Sequence, residues 1–139
     1  MTQKKKSFIE SFANKELIGV SIQEGIHSIG QGVFSNNKIN KLKLPNSLNY
    51  IKSDAFSHNN ITELELPESL YAIGEFAFSY NKIKTITFPA NITYIGKRSF
   101  YNNKLESIII PDTVKQIKDE AFLGNPIKTV RIGADVEIG

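Results

Sequence analysis

An apolar residue followed by proline recurs at a spacing of 22: Leu44-Pro45, Leu66-Pro67, Phe88-Pro89 and Ile110-Pro111. Four more apolar columns keep the same period. They are Ile26/Leu48/Leu70/Ile92/Val114/Val136, Ile29/Ile51/Ile73/Ile95/Ile117, Ile39/Ile61/Ile83/Leu105/Ile127 and Leu42/Leu64/Ile86/Ile108/Val130. A phenylalanine column runs Phe34, Phe56, Phe78, Phe100, Phe122, and an asparagine column runs Asn37, Asn59, Asn81, Asn103, Asn125. No insertion or deletion interrupts these columns. A constant period of this length makes each unit one coil of a solenoid, with equivalent side chains stacked in ladders.

A coil of this kind cannot stand alone. Six large apolar side chains contribute about 12 kcal/mol when buried. Ordering the backbone costs about 1–2 kcal/mol per residue, which is more over 22 residues. Stability has to come from neighbours that cover one another. Leu64-Glu65-Leu66-Pro67 alternates apolar and polar, so it reads as a short strand that proline ends. Successive strands must then pair in parallel, in right-handed coils. Ser53-Asp54-Ala55-Phe56 reads as a single helical turn with a polar cap. The asparagine column suits a buried ladder of side-chain amides that satisfy turn backbone.

The pattern Leu-x-x-Leu-x-Leu-Pro-x-x-Leu-x-x-Ile-x-x-x-Ala-Phe-x-x-Asn resembles the BspA-like, Treponema-type leucine-rich repeats, from about Phe12 to Val136. The resemblance implies a leucine-rich-repeat solenoid of the α/β class, mainly β with short helical turns, carrying a parallel β-sheet on one face. It also implies an extracellular or cell-surface bacterial protein that mediates adhesion or protein binding. It carries over no catalytic residue.

The chain divides into a basic tail, residues 1–7, read as disordered, and one leucine-rich-repeat domain, residues 8–139. Within the domain, 8–21 is a degenerate first coil, 22–131 holds five full repeats, and 132–139 is a partial last coil. Phe8 and Ile9 are expected to fold over the first coil.

Composition narrows the function. A net charge of +3 is too small to argue for nucleic acid. There is no cysteine, hence no disulfide framework and no thiolate metal site. No run of 18 apolar residues appears, so no membrane span is expected. Met1 to Lys6 is basic and imitates the start of an export signal, but no apolar region follows it. That leaves a cytosolic protein or an internal module of a longer exported chain. His27 and His58 have no ligand partners at metal spacing, and Gly30-Gln31-Gly32 is no dinucleotide loop. The reading is therefore no enzyme, no cofactor and no metal.

The expected function is a non-catalytic protein-binding or adhesion module, whose partner is a protein. The alternatives are a scaffold that self-associates end to end and a weak polyanion-binding module. Candidate protein-binding residues are Tyr50, Tyr71 and Tyr94, placed on loops, with Tyr80 and Tyr101 near the turn after the phenylalanines. Ile109, Thr85 and Thr87 join them on the outward strand face. Lys82, Lys84, Lys104 and Lys128 form a candidate anion-binding rim. Lys41 with Glu63 and Lys43 with Glu65 are expected to pair across neighbouring strands.

Overall fold

The computed structural model describes residues 11–138. The tail at 1–7 and the placement of Phe8 and Ile9 lie outside the described residues. Each coil carries two short strands: β1 (Gly19–Ser21) and β2 (Ser28–Ile29), β3 (Lys41–Lys43) and β4 (Tyr50–Ile51), β5 (Glu63–Glu65) and β6 (Ala72–Ile73). There follow β7 (Thr85–Thr87) and β8 (Tyr94–Ile95), β9 (Ser107–Ile110) and β10 (Gln116–Ile117), β11 (Thr129–Ile132) and β12 (Glu137–Ile138). All pairing is parallel, as a stack of like coils requires.

The strands of the Leu-x-Leu-Pro segments do not make one sheet. They pair as β1–β3, β5–β7 and β9–β11. Beyond each proline, the N–H three residues on returns to the proline carbonyl, as from Leu70 to Pro67 at 3.0 Å. That turn leads into a second sheet, which is continuous over six strands: β2, β4, β6, β8, β10 and β12. Its inward residues are the isoleucines Ile29, Ile51, Ile73, Ile95 and Ile117 in direct register. Register shortens once. Gln116 pairs with Glu137, 21 residues on, and Ile117 with Ile138, so the last coil is one residue short between Val136 and its strand.

The expected helical turn is absent. Gly32, Asp54, Phe76, Arg98 and Glu120 all have φ between 52° and 64°, and so do Asn36, His58, Tyr80 and Asn102. A left-handed residue cannot propagate a right-handed helix. Two of them per coil bend the chain into a flat double turn instead. Within it N–H groups alternate in direction. Ala55 and Ser57 donate back within the coil to Lys52 and Asp54, whereas Asp54, Phe56 and His58 donate to Glu75, Ala77 and Ser79 of the next coil.

The core sits between this turn edge and the two strand faces. The rings of Phe12, Phe34, Phe56, Phe78, Phe100 and Phe122 stack in sequence at 5.3–5.6 Å, nearly parallel. Beside them runs the amide ladder. Asn81 Nδ2 donates to Phe56 O at 2.9 Å and Phe78 O at 3.1 Å, while its Oδ1 accepts from Ile61 N at 3.1 Å. Asn37, Asn59, Asn103 and Asn125 repeat the pattern. Ser99 interrupts the small apolar column of Val33, Ala55, Ala77 and Ala121, and its fully buried hydroxyl has no partner among the described residues. Gly74 and Gly96 mark close approach: a Cβ on Gly96 would lie 2.7 Å from the Gly74 backbone.

The expected pairs Lys41–Glu63 and Lys43–Glu65 do not form. β3 and β5 share no ladder, and the ion pairs among the described residues are Lys38–Glu16, Arg98–Glu120 and Lys128–Glu106. Exposed charges attract by too little, at most about 1 kcal/mol, to draw two backbones together.

Candidate functional site

The repeat needs none of its five tyrosines for its core, and the structure sets four of them in two edge-to-face pairs, with Tyr71 and Tyr80 exposed and the others half-buried. The first lies on the six-stranded sheet. Tyr50 and Tyr94 are strand residues, not loop residues, each followed by a core isoleucine. Alternation in a strand sends the isoleucine inward and the tyrosine outward. Tyr50 stands in register with Ala72, and Ala72 with Tyr94. Tyr71, which precedes β6, is exposed and meets Tyr50 edge to face with ring centroids 6.3 Å apart. Burial holds the Tyr50 hydroxyl above the usual tyrosine range, and Tyr94 and Tyr71 push in the same direction. Next to this pair is a cavity of about 140 Å³, lined by Gly25, His27, Ser28, Asn49 and the two rings. His27 Nδ1 lies 3.1 Å from Ser47 O, which can only accept, so Nδ1 carries the proton there.

The second group follows the double turn. Tyr80 stacks on His58 at 4.4 Å and meets Tyr101 edge to face at 5.3 Å. The Arg98 guanidinium lies 5.2 Å from the Tyr101 ring centre and 5.7 Å from that of Phe76, and pairs with Glu120 at 2.7 Å. Sequence reading found no role for His58, singled out Tyr101 and missed Arg98, the residue that joins Tyr101 to Phe76. The signal was in the columns. His58 and Tyr80 share one left-handed position, and Phe76 and Arg98 share the other. A non-glycine residue costs about 1–2 kcal/mol there. Four large side chains at such positions in three successive coils are an outlay that turn-building alone does not require.

The other candidates stand apart. Thr85 and Thr87 are exposed on β7, in register with Glu63 and Glu65. Ile109 is 66% exposed on β9, opposite Arg131. A groove of about 630 Å³ runs over β1, β3 and β5, with Lys41, Lys43, Glu63 and Glu65 among the residues that line it. The lysine rim is less charged than its sequence suggests. Lys82, Lys84 and Lys104 are exposed, but Lys128 is neutralised by Glu106 at 3.3 Å. Among the described residues no three histidine or carboxylate side chains come together to hold a metal ion, and no helix is long and apolar enough to cross a membrane.

No match was found among curated proteins. Solved structures do match. One is a leucine-rich-repeat protein of Treponema pallidum, with a TM-score of 0.80 and 23% identity over 96% of this chain. A second, from Bacteroides ovatus, superposes with a TM-score of 0.74 and 21% identity, also over 96% of this chain. This chain spans 66% of the length of the first and 43% of the second. At these identities the likeness is one of fold. The sequence pattern of the BspA type leucine rich repeat region matches residues 9–128 in six copies, and the chain belongs to that family.

Proposed function

We propose that this chain is a non-catalytic protein-binding module of the adhesion type, in a bacterial surface or secreted protein. The observation that supports it is the separation of labour among the aromatics. The phenylalanine stack and the isoleucine rungs build the core, and outside it Tyr50 meets Tyr71 and Tyr80 meets Tyr101. Exposed tyrosines bury much area on binding at little entropic cost, and they are enriched where binding energy concentrates.

The test is affinity capture of surface proteins from the native organism with the unaltered chain and with Tyr50, Tyr71 and Tyr94 all changed to alanine. The triple variant keeps its Tm and loses the partner. Undiminished capture by a folded triple variant would overturn the role of this face. End-to-end association is the alternative reading, and light scattering across concentration checks it. Polyanion binding has the weaker basis, because Glu106 interrupts the lysine rim.

A further inference from the structure

We infer that the face of β1, β3, β5 and β7 is a contact between two copies of this chain. The copies meet face to face about a two-fold axis that runs along the gap between β3 and β5. This face carries none of the tyrosines, so the inference goes beyond the protein-binding reading and does not depend on it.

The outward residues of the four strands are exposed and come in like pairs: Gly19 and Ser21, Lys41 and Lys43, Glu63 and Glu65, Thr85 and Thr87. Register joins β1 to β3 and β5 to β7, and the ladder is broken between β3 and β5. Across the gap the face therefore reads small, basic, acidic, small. In a second copy turned over about an axis in that gap, parallel to the strands, the order is small, acidic, basic, small. Lys41 then stands opposite Glu63 of the second copy, and Lys43 opposite its Glu65. Each pairing occurs twice, because a two-fold contact is reciprocal. At the flanks Gly19 and Ser21 stand opposite Thr85 and Thr87, and these short side chains let the long ones meet. The groove over β1, β3 and β5 gives the incoming lysines and glutamates room.

The neighbouring charges fit the same axis. Lys84, just before β7, falls opposite Ile18, just before β1. On the turns after the strands, Glu68 falls opposite Asn46 and Glu24 opposite Ala90. No charge there meets its like. Ile109 and Arg131, on β9 and β11, lie beyond the matched strands.

The four central charges are also left for this use. The ion pairs that do form join side chains one coil apart: Lys38–Glu16, Arg98–Glu120 and Lys128–Glu106. Lys41, Lys43, Glu63 and Glu65 are placed one coil apart with opposite sign, yet none has an ion-pair partner among the described residues. Like charges on one strand face stand about 6.6 Å apart and repel each other. A second copy sets an opposite charge against every one of them.

The experiment is sedimentation equilibrium of the full chain at low salt and in about 1 M salt, where charges are screened beyond about 3 Å. The unaltered chain forms a closed dimer at low salt and dissociates at high salt. One variant carries Lys41→Glu with Lys43→Glu, and another Glu63→Lys with Glu65→Lys. Each then presents a single sign, and its self-association weakens by about a hundredfold. Mixed together, the two variants form a heterodimer, and a chain with all four changes dimerises again. All four side chains are exposed, and an unchanged Tm checks that each variant is folded. A chain that stays monomeric at low salt would overturn the inference. So would a dimer that the charge changes leave intact, or variants that fail to associate when mixed. Growth past the dimer, indifferent to these charges, would assign self-association to the ends of the solenoid and overturn it too.

Discussion

The two strand faces of the solenoid share a coil, a period and an inward row of aliphatic side chains, yet one is continuous and the other is broken. The continuous face has strands of only two residues. The broken one has strands of three or four. Strand length is therefore not what joins coils. On the short-strand face the ladder extends past the strands, as Lys52, Gly74, Gly96 and Lys118 each donate to the isoleucine carbonyl of the coil before. At the junction of β3 and β5 the backbones part, although lysines face glutamates across it. Buried register and backbone hydrogen bonds hold the stack, and surface charge does not.

Four substitutions probe that contrast. If the turn edge binds both faces together, Asn81→Ala should be the most damaging. It leaves Ile61 N–H and the carbonyls of Phe56 and Phe78 without their amide, at a cost of about 3 kcal/mol or more. Urea unfolding would measure it, and a loss under about 1 kcal/mol would show that the faces stand without the ladder. Gly96→Ala attacks only the continuous face, by forcing a methyl against the Gly74 backbone. A loss of about 2 kcal/mol is expected. A neutral result would mean that the coils there can separate as β3 and β5 do.

Ser99→Ala should go the other way. It removes a buried, unpartnered hydroxyl and restores the residue found at Ala55, Ala77 and Ala121, for a gain of about 1 kcal/mol in thermal unfolding. A loss of stability would show that the hydroxyl is satisfied in solution. Lys43→Ala, on the broken face, should change stability by less than about 0.5 kcal/mol. A larger effect would return the Lys43–Glu65 attraction to the list of forces that set coil register.

The sequence carried the stack itself. Phe34 to Phe122 and Asn37 to Asn125 are visible as columns because each coil places the same chemistry at the same depth. What it hid were features shorter than a period of alternation. A strand such as Tyr50–Ile51 spans one outward and one inward residue, too few to alternate, so its sheet reads as loop. The left-handed turn was hidden differently. Asp54 before Ala55-Phe56 looks like a helix cap, and nothing in Phe76 or Arg98 at the equivalent places announces the φ near +55° that all three adopt. Of the binding candidates, residue type was legible and grouping was not. Tyr80 joins His58 through a column, but Tyr50 joins Tyr71 only through the sheet.

The amide ladder has a direction. Each asparagine reaches backward, so that Asn59 satisfies Ile39 N–H and Phe34 O of the coil before its own, and Asn125 does so for Leu105 and Phe100. A chain made from its N-terminus thus always leaves its newest coil waiting for the following twenty or so residues. During synthesis, order trails the ribosome by one full unit, and a message broken off between coils leaves its last finished unit unsealed.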